Sequence, residues 1–171
     1  QRQMCIRDRA SRGPQVFVGY WGEPEMTARA LDADGWYYSG DYCRTDSEGR
    51  YIRITGRKKD IIVRGGENIS SREVEDIVLE YPGVREAAVV AMPDERLGER
   101  SCACVSMRPG APAMHLTDLV AFFDGRRVAK YKFPEYLVVL DALPRTSSGK
   151  LQKFALARMV RERVAAGQPS D

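Results

Sequence analysis

The chain is 171 residues long, 43% apolar and 30% charged, and its 27 basic and 24 acidic residues leave a formal charge of +3. That length suits one medium domain or a small domain with an appendage, and so balanced a charge calls for neither nucleic acid nor a membrane surface as partner. No apolar run approaches the roughly 20 residues of a membrane span, and the opening QRQMCIRDRA lacks the apolar stretch of a signal peptide, so a cytoplasmic location is expected.

Residues 1–12 begin without any period and are expected to be a non-native or disordered start. QVFVGY, 15–20, reads as a short buried strand. A short helix follows in GEPEMTARAL, then the turn DADG and an aromatic stretch that ends at Asp41. YCRT and RYIRIT, on either side of DSEG, form a hairpin closing at Gly56. GRKKD, 56–60, puts four charged residues after a glycine between two patterned segments, which suits a hinge as well as a solvated turn.

From residue 60 the rhythm changes. DIIVR and ENI are strands joined by Gly65-Gly66. Ser70 caps a helix with Glu73 three residues on, and Val74, Ile77, Val78 and Tyr81 share its apolar face before Pro82-Gly83 stops it. Strands are expected at 84–91 and 101–107 on either side of a polar loop, PDERLGER. Leu116, Leu119, Val120 and Phe123 mark a second helix, YLVVL at 136–140 a strand, and 151–163 a last helix before a frayed tail. The order is ββαββαβα, an α+β unit.

Four cysteines, at 5, 43, 102 and 104, and the single His115 offer neither a C-x-x-C pair nor a histidine cluster, so no metal site is expected. Cys102 and Cys104 share one face of a strand and read as small buried hydrophobes.

Three segments suit nucleotide chemistry. In YYSGD, Asp41 is a fixed carboxylate able to accept two ribose hydroxyls, or a plain turn residue. In GRKKDIIVRGGEN, the paired glycines let a thin or charged group pass close to the backbone, or simply make a tight hairpin. In PRTSSGK, a small-residue loop ends in Lys150, whose ammonium can be delivered to a phosphate; the leading Gly of a Walker loop is missing.

In this order and spacing, YYSGD, GRKKDIIVRGGENISSREVE and PRTSSGK resemble the adenylate-forming superfamily of acyl- and aryl-CoA synthetases, peptide-synthetase adenylation domains and luciferases. The likeness runs from about Gly13 to Arg163. GGENISSREVE and LGERSCA resemble medium-chain, alicyclic and aromatic acid CoA ligases and dihydroxybenzoate-AMP ligases. The resemblance implies that 13–57 ends the large N-terminal domain that binds ATP and acid, 58–60 is a hinge, 61–163 is the small mobile C-terminal domain, and 164–171 is a disordered tail. It implies Asp41 on the ribose, Arg57 on the nucleotide and Lys59 at the hinge. Gly65 and Gly66 line a pantetheine channel with Glu67 beside it, and Lys150 meets the acid's carboxylate and the α-phosphate. Ser39 stands where Thr is commoner in the family, and Asn68 where acetyl-CoA synthetases carry Arg.

The implied reaction joins a small carboxylic acid to CoA through an acyl-adenylate, using ATP with Mg²⁺ and no metal held by this segment. Because no phosphate loop or acid pocket is present, the chain alone is expected to be inactive and to need the rest of the N-terminal domain. Two other readings remain: a ligase that loads a carrier protein's pantetheine, and a stand-alone phosphate- or nucleic-acid-binding module built on GRKKD and Arg64. No aromatics interleave with the basic run between 56 and 66, as nucleic-acid stacking would require.

Overall fold

A computed structural model describes residues 7–165, and the chain divides between Lys59 and Asp60 into two compact units. The division falls inside the stretch read as a hinge, where Lys58–Asp60 form one turn of 3-10 helix.

The first unit is a three-stranded antiparallel sheet, β1 (Arg7–Ser11), β2 (Tyr37–Thr45) and β3 (Ile52–Arg57), in the order β1-β2-β3, with helix α1 (Pro24–Ala30) between β1 and β2. Two aspartates shape its turns. Asp32 Oδ1 accepts from Asp34 N–H and Trp36 N–H at 3.0 and 2.9 Å, and Oδ2 accepts from the Tyr38 hydroxyl at 3.0 Å. Asp46 Oδ1 likewise takes Arg50 N–H at 2.7 Å, a side chain standing in for a backbone acceptor.

Two expectations change here. QVFVGY is not a strand: Val18 is exposed and Val16 N–H turns back to Gly13 O at 3.0 Å. A strand needs a ladder partner, and both edges of β2 are already taken by β1 and β3. Residues 7–11, expected in a disordered start, are β1 itself, registered as Ala10 opposite Tyr38 and Ser11 opposite Tyr37. Residues 1–6, with Cys5, lie outside the described residues.

The second unit follows the expected ββαββαβα order: β4 (Ile61–Arg64), β5 (Glu67–Ser70), α2 (Ser71–Leu79), β6 (Val84–Asp94), β7 (Gly98–Met107), α3 (Leu116–Asp124), β8 (Tyr136–Val139) and α4 (Lys153–Ala165). Ser70 is the expected cap: its Oγ accepts from Glu73 N–H at 3.4 Å. β7 is the central strand. β6 pairs antiparallel along one edge, and the other edge is shared by β4, at Arg64 opposite Gly98, and by β8, parallel from Cys102–Tyr136 to Val105–Val139.

Alternate residues of β7 face two cores. Ala103 and Val105 join Ile69, Val74, Val78, Leu119 and Phe123, under α2 and α3. Cys102 and Cys104 join Ala88, Val90, Leu156 and Val160, under α4. The cysteines are therefore the small buried residues that the pattern suggested. Hydrogen bonding to Cys104, together with burial, pushes the Cys102 thiol well above its ordinary value, so it stays protonated.

PDERLGER is mostly paired rather than loop. β6 and β7 extend to Asp94 opposite Gly98, leaving three residues for the turn. Asp94 Oδ1 takes Leu97 N–H at 2.8 Å, and Asp94 Oδ2 lies 2.5 Å from Arg100 Nε. Polar side chains are tolerated there because the tip of a hairpin projects beyond the core. The last helix starts at Lys153 and runs to Ala165, two residues past its expected end; 166–171 lie outside the described residues.

Phe123 is fully buried and packs edge-on against Phe133 at 5.4 Å between ring centroids. Phe123→Ala is expected to lower the unfolding free energy of the chain by about 3–5 kcal/mol, measured by urea denaturation with an unchanged m-value. A loss below about 1 kcal/mol would mean this cluster is not a close-packed core.

Candidate functional site

Asp41 and Arg57 are direct cross-strand partners on β2 and β3, so the ladder register alone places a carboxylate beside a guanidinium. Arg57 Nε lies 3.6 Å from Asp41 Oδ1, and Arg9 Nη1 lies 3.9 Å from Oδ2. Ser39 Oγ accepts from Asp41 N–H and donates to Arg9 O, both at 3.2 Å, which fixes the backbone approach to Asp41. Gly40, between them, has φ of +68°, a conformation that a side chain resists. These residues, with Tyr37, Lys58 and Lys59, line a concavity of about 650 Å³. Both contacts on Asp41 are longer than good ion-pair hydrogen bonds, so its oxygens retain acceptor capacity toward the cavity. Arg9 was not singled out by sequence reasoning, because it sits in a segment without pattern.

In the second unit, Gly65 and Gly66 form the two-residue turn of the β4–β5 hairpin, with Arg64 opposite Glu67. Their φ values of +56° and +87° are what a primed hairpin turn demands. The two differ in surroundings: a Cβ on Gly65 would lie 3.3 Å from Leu97 Cδ2, whereas one on Gly66 would meet nothing within 4 Å. Gly65 N–H donates to Leu97 O at 2.8 Å, which ties this turn to the β6–β7 turn. Arg64 points its fork at Glu135, with bonds of 2.9 and 3.0 Å. That contact raises the guanidinium's affinity for its proton and leaves Arg64 committed to an internal ion pair rather than to a phosphate patch.

PRTSSGK is a closed loop, not a slack linker. Gln152 N–H donates to Pro144 O at 2.9 Å, Thr146 N–H to Lys150 O at 2.8 Å, and Lys150 N–H to Thr146 Oγ1 at 3.0 Å. Gly149, at φ of +79°, permits the final bend. Lys150 is exposed, and its ammonium has no hydrogen-bond or ion-pair partner among the described residues. The neighbouring Lys153 is the opposite case: its Nζ sits 2.6 Å from Glu75 Oε1 and 3.0 Å from Ser71 Oγ. A cation in the first turn of α4 opposes the helix dipole, and Glu75 offsets it.

The Gly65-Gly66 turn and the Lys150 loop lie at opposite ends of β7. The turn is next to Gly98; the loop is tied to Glu86, which is opposite Ser106. The eight-residue separation corresponds to about 26 Å at the rise of a strand.

This arrangement has a family. Residues 73–150 match the model of the AMP-binding enzyme C-terminal domain. That stretch of the chain carries the AMP-binding enzyme C-terminal domain. It is 63% identical over 160 residues to the medium-chain fatty-acid–CoA ligase of Escherichia coli K12, covering 94% of this chain and 28% of that protein. ATP-bound MatB from Rhodopseudomonas palustris superposes with a TM-score of 0.80 at 36% identity, over 88% of this chain and 29% of the other. The o-succinylbenzoate CoA synthetase MenE from Bacillus subtilis, solved with its acyl-adenylate intermediate, superposes at 0.79 with 33% identity, over 87% and 30%. The chain thus spans under a third of the length of these relatives.

In the second unit of this chain, the glycine turn can be tested on its backbone alone. Gly65→Ala combines positive φ with a tight contact on Leu97, whereas Gly66→Ala meets only the φ penalty. We expect Gly66→Ala to cost about 1 kcal/mol and Gly65→Ala more. Thermal melts of the two variants check the order, and a Gly66 variant melting below its Gly65 counterpart would contradict this geometry.

Proposed function

We propose that the chain works as the mobile part of an acid–CoA ligase that first forms an acyl-adenylate with release of pyrophosphate and then transfers the acyl group to CoA with release of AMP. The observation that carries this reading is the separation of two features on one domain: a Lys150 without a partner among the described residues, on a pinned loop at one end of β7, and an open glycine turn at the other. One rotation of such a domain can exchange them at a single active site, first the charge, then the channel.

The residues fit the roles in chemical terms. Asp41, held by Ser39 and Gly40 at the mouth of the concavity, accepts the ribose hydroxyls, and Arg57 stands by the nucleotide phosphate. As carboxylate oxygen attacks the α-phosphorus, negative charge builds on the phosphoryl oxygens, and the Lys150 ammonium stabilises it. In the second step that charge withdraws, and the pantetheine thiol reaches the acyl carbon past Gly65 and Gly66, with Glu67 beside them. Gly66 has the free space this needs. Lys59, the last residue of the first unit, is the pivot.

No cluster of three or more potential metal ligands occurs among the described residues, so Mg²⁺ would arrive on the phosphates of ATP. The acid is of medium chain length, on the strength of the 63% identical relative, and the thiol is CoA rather than a carrier protein. A cytoplasmic location accords with this chemistry. Among the described residues no helix is long and apolar enough to cross a membrane.

The experiment is a hybrid in which this chain replaces the matching segment of the E. coli relative. Lys150→Ala in the hybrid should slow acid-dependent pyrophosphate exchange by about 10²- to 10³-fold, with thioester formation from supplied acyl-AMP kept within a few-fold. Equal loss in both half-reactions would remove Lys150 from the chemistry.

A further inference from the structure

Lys150 reaches its target on a long flexible stem, so catalytic precision depends on where its backbone is held. Bonds within the loop fix its internal shape: Thr146 to Lys150, Gly149 N–H to Thr146 O at 2.9 Å, and the Thr146 and Ser148 hydroxyls at 2.8 Å. None of them ties the loop to the sheet. One guanidinium does. Arg145 Nη2 bonds Glu86 Oε1 on β6, while Nη1 of the same group donates to Gly149 O at 2.7 Å, one residue from Lys150.

Glu86 is itself braced. Ser106 Oγ, directly across on β7, donates to Glu86 Oε2 at 3.2 Å. Arg85 Nη2 lies 3.7 Å from that same oxygen and donates to Asp141 O at 2.8 Å, on the segment leading into the loop. The Arg145 contact holds the Glu86 carboxyl below its ordinary range, with Ser106 and Arg85 adding to the effect, so the pair stays charged at neutral pH. One planar fork thus joins a rigid strand to the carbonyl beside Lys150, which a single ammonium cannot reproduce in the same plane.

We propose that Arg145 and Glu86 are positioning residues that hold the Lys150 loop against β6 for the adenylation half-reaction. The proposal rests on the reading of Lys150 given above. It deepens that reading by assigning two residues that touch no substrate. An error of about 1 Å in a reacting group costs on the order of a hundred-fold in rate, so loosening the clamp should be visible in chemistry before it is visible in stability.

The test uses Glu86→Gln and Arg145→Lys, conservative changes at partly exposed sites. In the 171-residue chain, both should speed amide hydrogen exchange at Gly149 and Lys150 while exchange across β6 and β7 is unchanged. In the E. coli hybrid, both should slow pyrophosphate exchange by about ten- to a hundred-fold and spare thioester formation from supplied acyl-AMP. In a Lys150→Ala background, Glu86→Gln should add less than about two-fold, because a clamp acting through Lys150 has nothing left to position. Full additivity with a large Lys150→Ala effect, equal loss in both half-reactions, or unchanged adenylation would each overturn the clamp alone. If Lys150→Ala leaves adenylation intact, the reading of Lys150 falls and takes the proposal with it. A general drop in melting temperature without local exchange at Gly149 and Lys150 would make the pair merely structural, also against the proposal.

Discussion

β7 is buried on both faces, and the rest of the second unit is arranged to satisfy that burial. Its alternation sends Ala103 and Val105 to one core and Cys102 and Cys104 to the other, all fully inaccessible. A strand so placed needs helices above and below and partners along both edges, since an unpaired buried amide would cost about as much as a lost hydrogen bond. α2 and α3 cover one face and α4 the other, and β6, β4 and β8 share the edges. Small residues on β7 suit this: cysteine and alanine let helices approach the sheet closely.

Once β7 is fixed, the remaining polar demands fall at the margin of the sheet, where charges meet them. Val89 N–H on β6 finds no partner in β7, and Glu75 reaches from α2 to accept it at 2.7 Å. The same Glu75 oxygen binds Lys153, so the carboxylate that satisfies a buried amide also secures the first turn of α4. Removing Lys153 would leave the nearly buried Glu75 carboxylate without its cation. Lys150 lies between two such anchors, Arg145 before it and Lys153 after it, and both lead to β6.

The polarity of β7 also gives the functional reading its geometry. Strand direction sets the glycine turn at one end and the lysine loop at the other, and strand rise sets the distance between them. A domain with two chemically distinct ends can serve two successive steps without rebuilding either. The first unit contributes something simpler, a carboxylate and a guanidinium brought side by side by ladder register, at the edge of a concavity large enough for part of a nucleotide.

Much of this was legible in the residues. Hydrophobic period gave the ββαββαβα order, Ser70 and Glu73 the start of α2, and Gly65-Gly66 a primed turn, because each depends on neighbours within a few positions in the chain. The candidate site residues were singled out for the same reason: Asp41, Arg57 and Lys150 stand in short, specific motifs. What local pattern could not supply was pairing. QVFVGY has the composition of a strand and no partner to make it one, while Arg7–Ser11 has no pattern and a free edge of β2 to take. PDERLGER looked like loop because polarity alone cannot distinguish a hairpin tip from a linker. The Arg145–Glu86 tie spans 59 residues and the Lys153–Ser71 contact 82, and no spacing in the sequence announces either. Those contacts exist because β7 brings β6, α2 and α4 together, and only the folded sheet decides which charges meet at its edge.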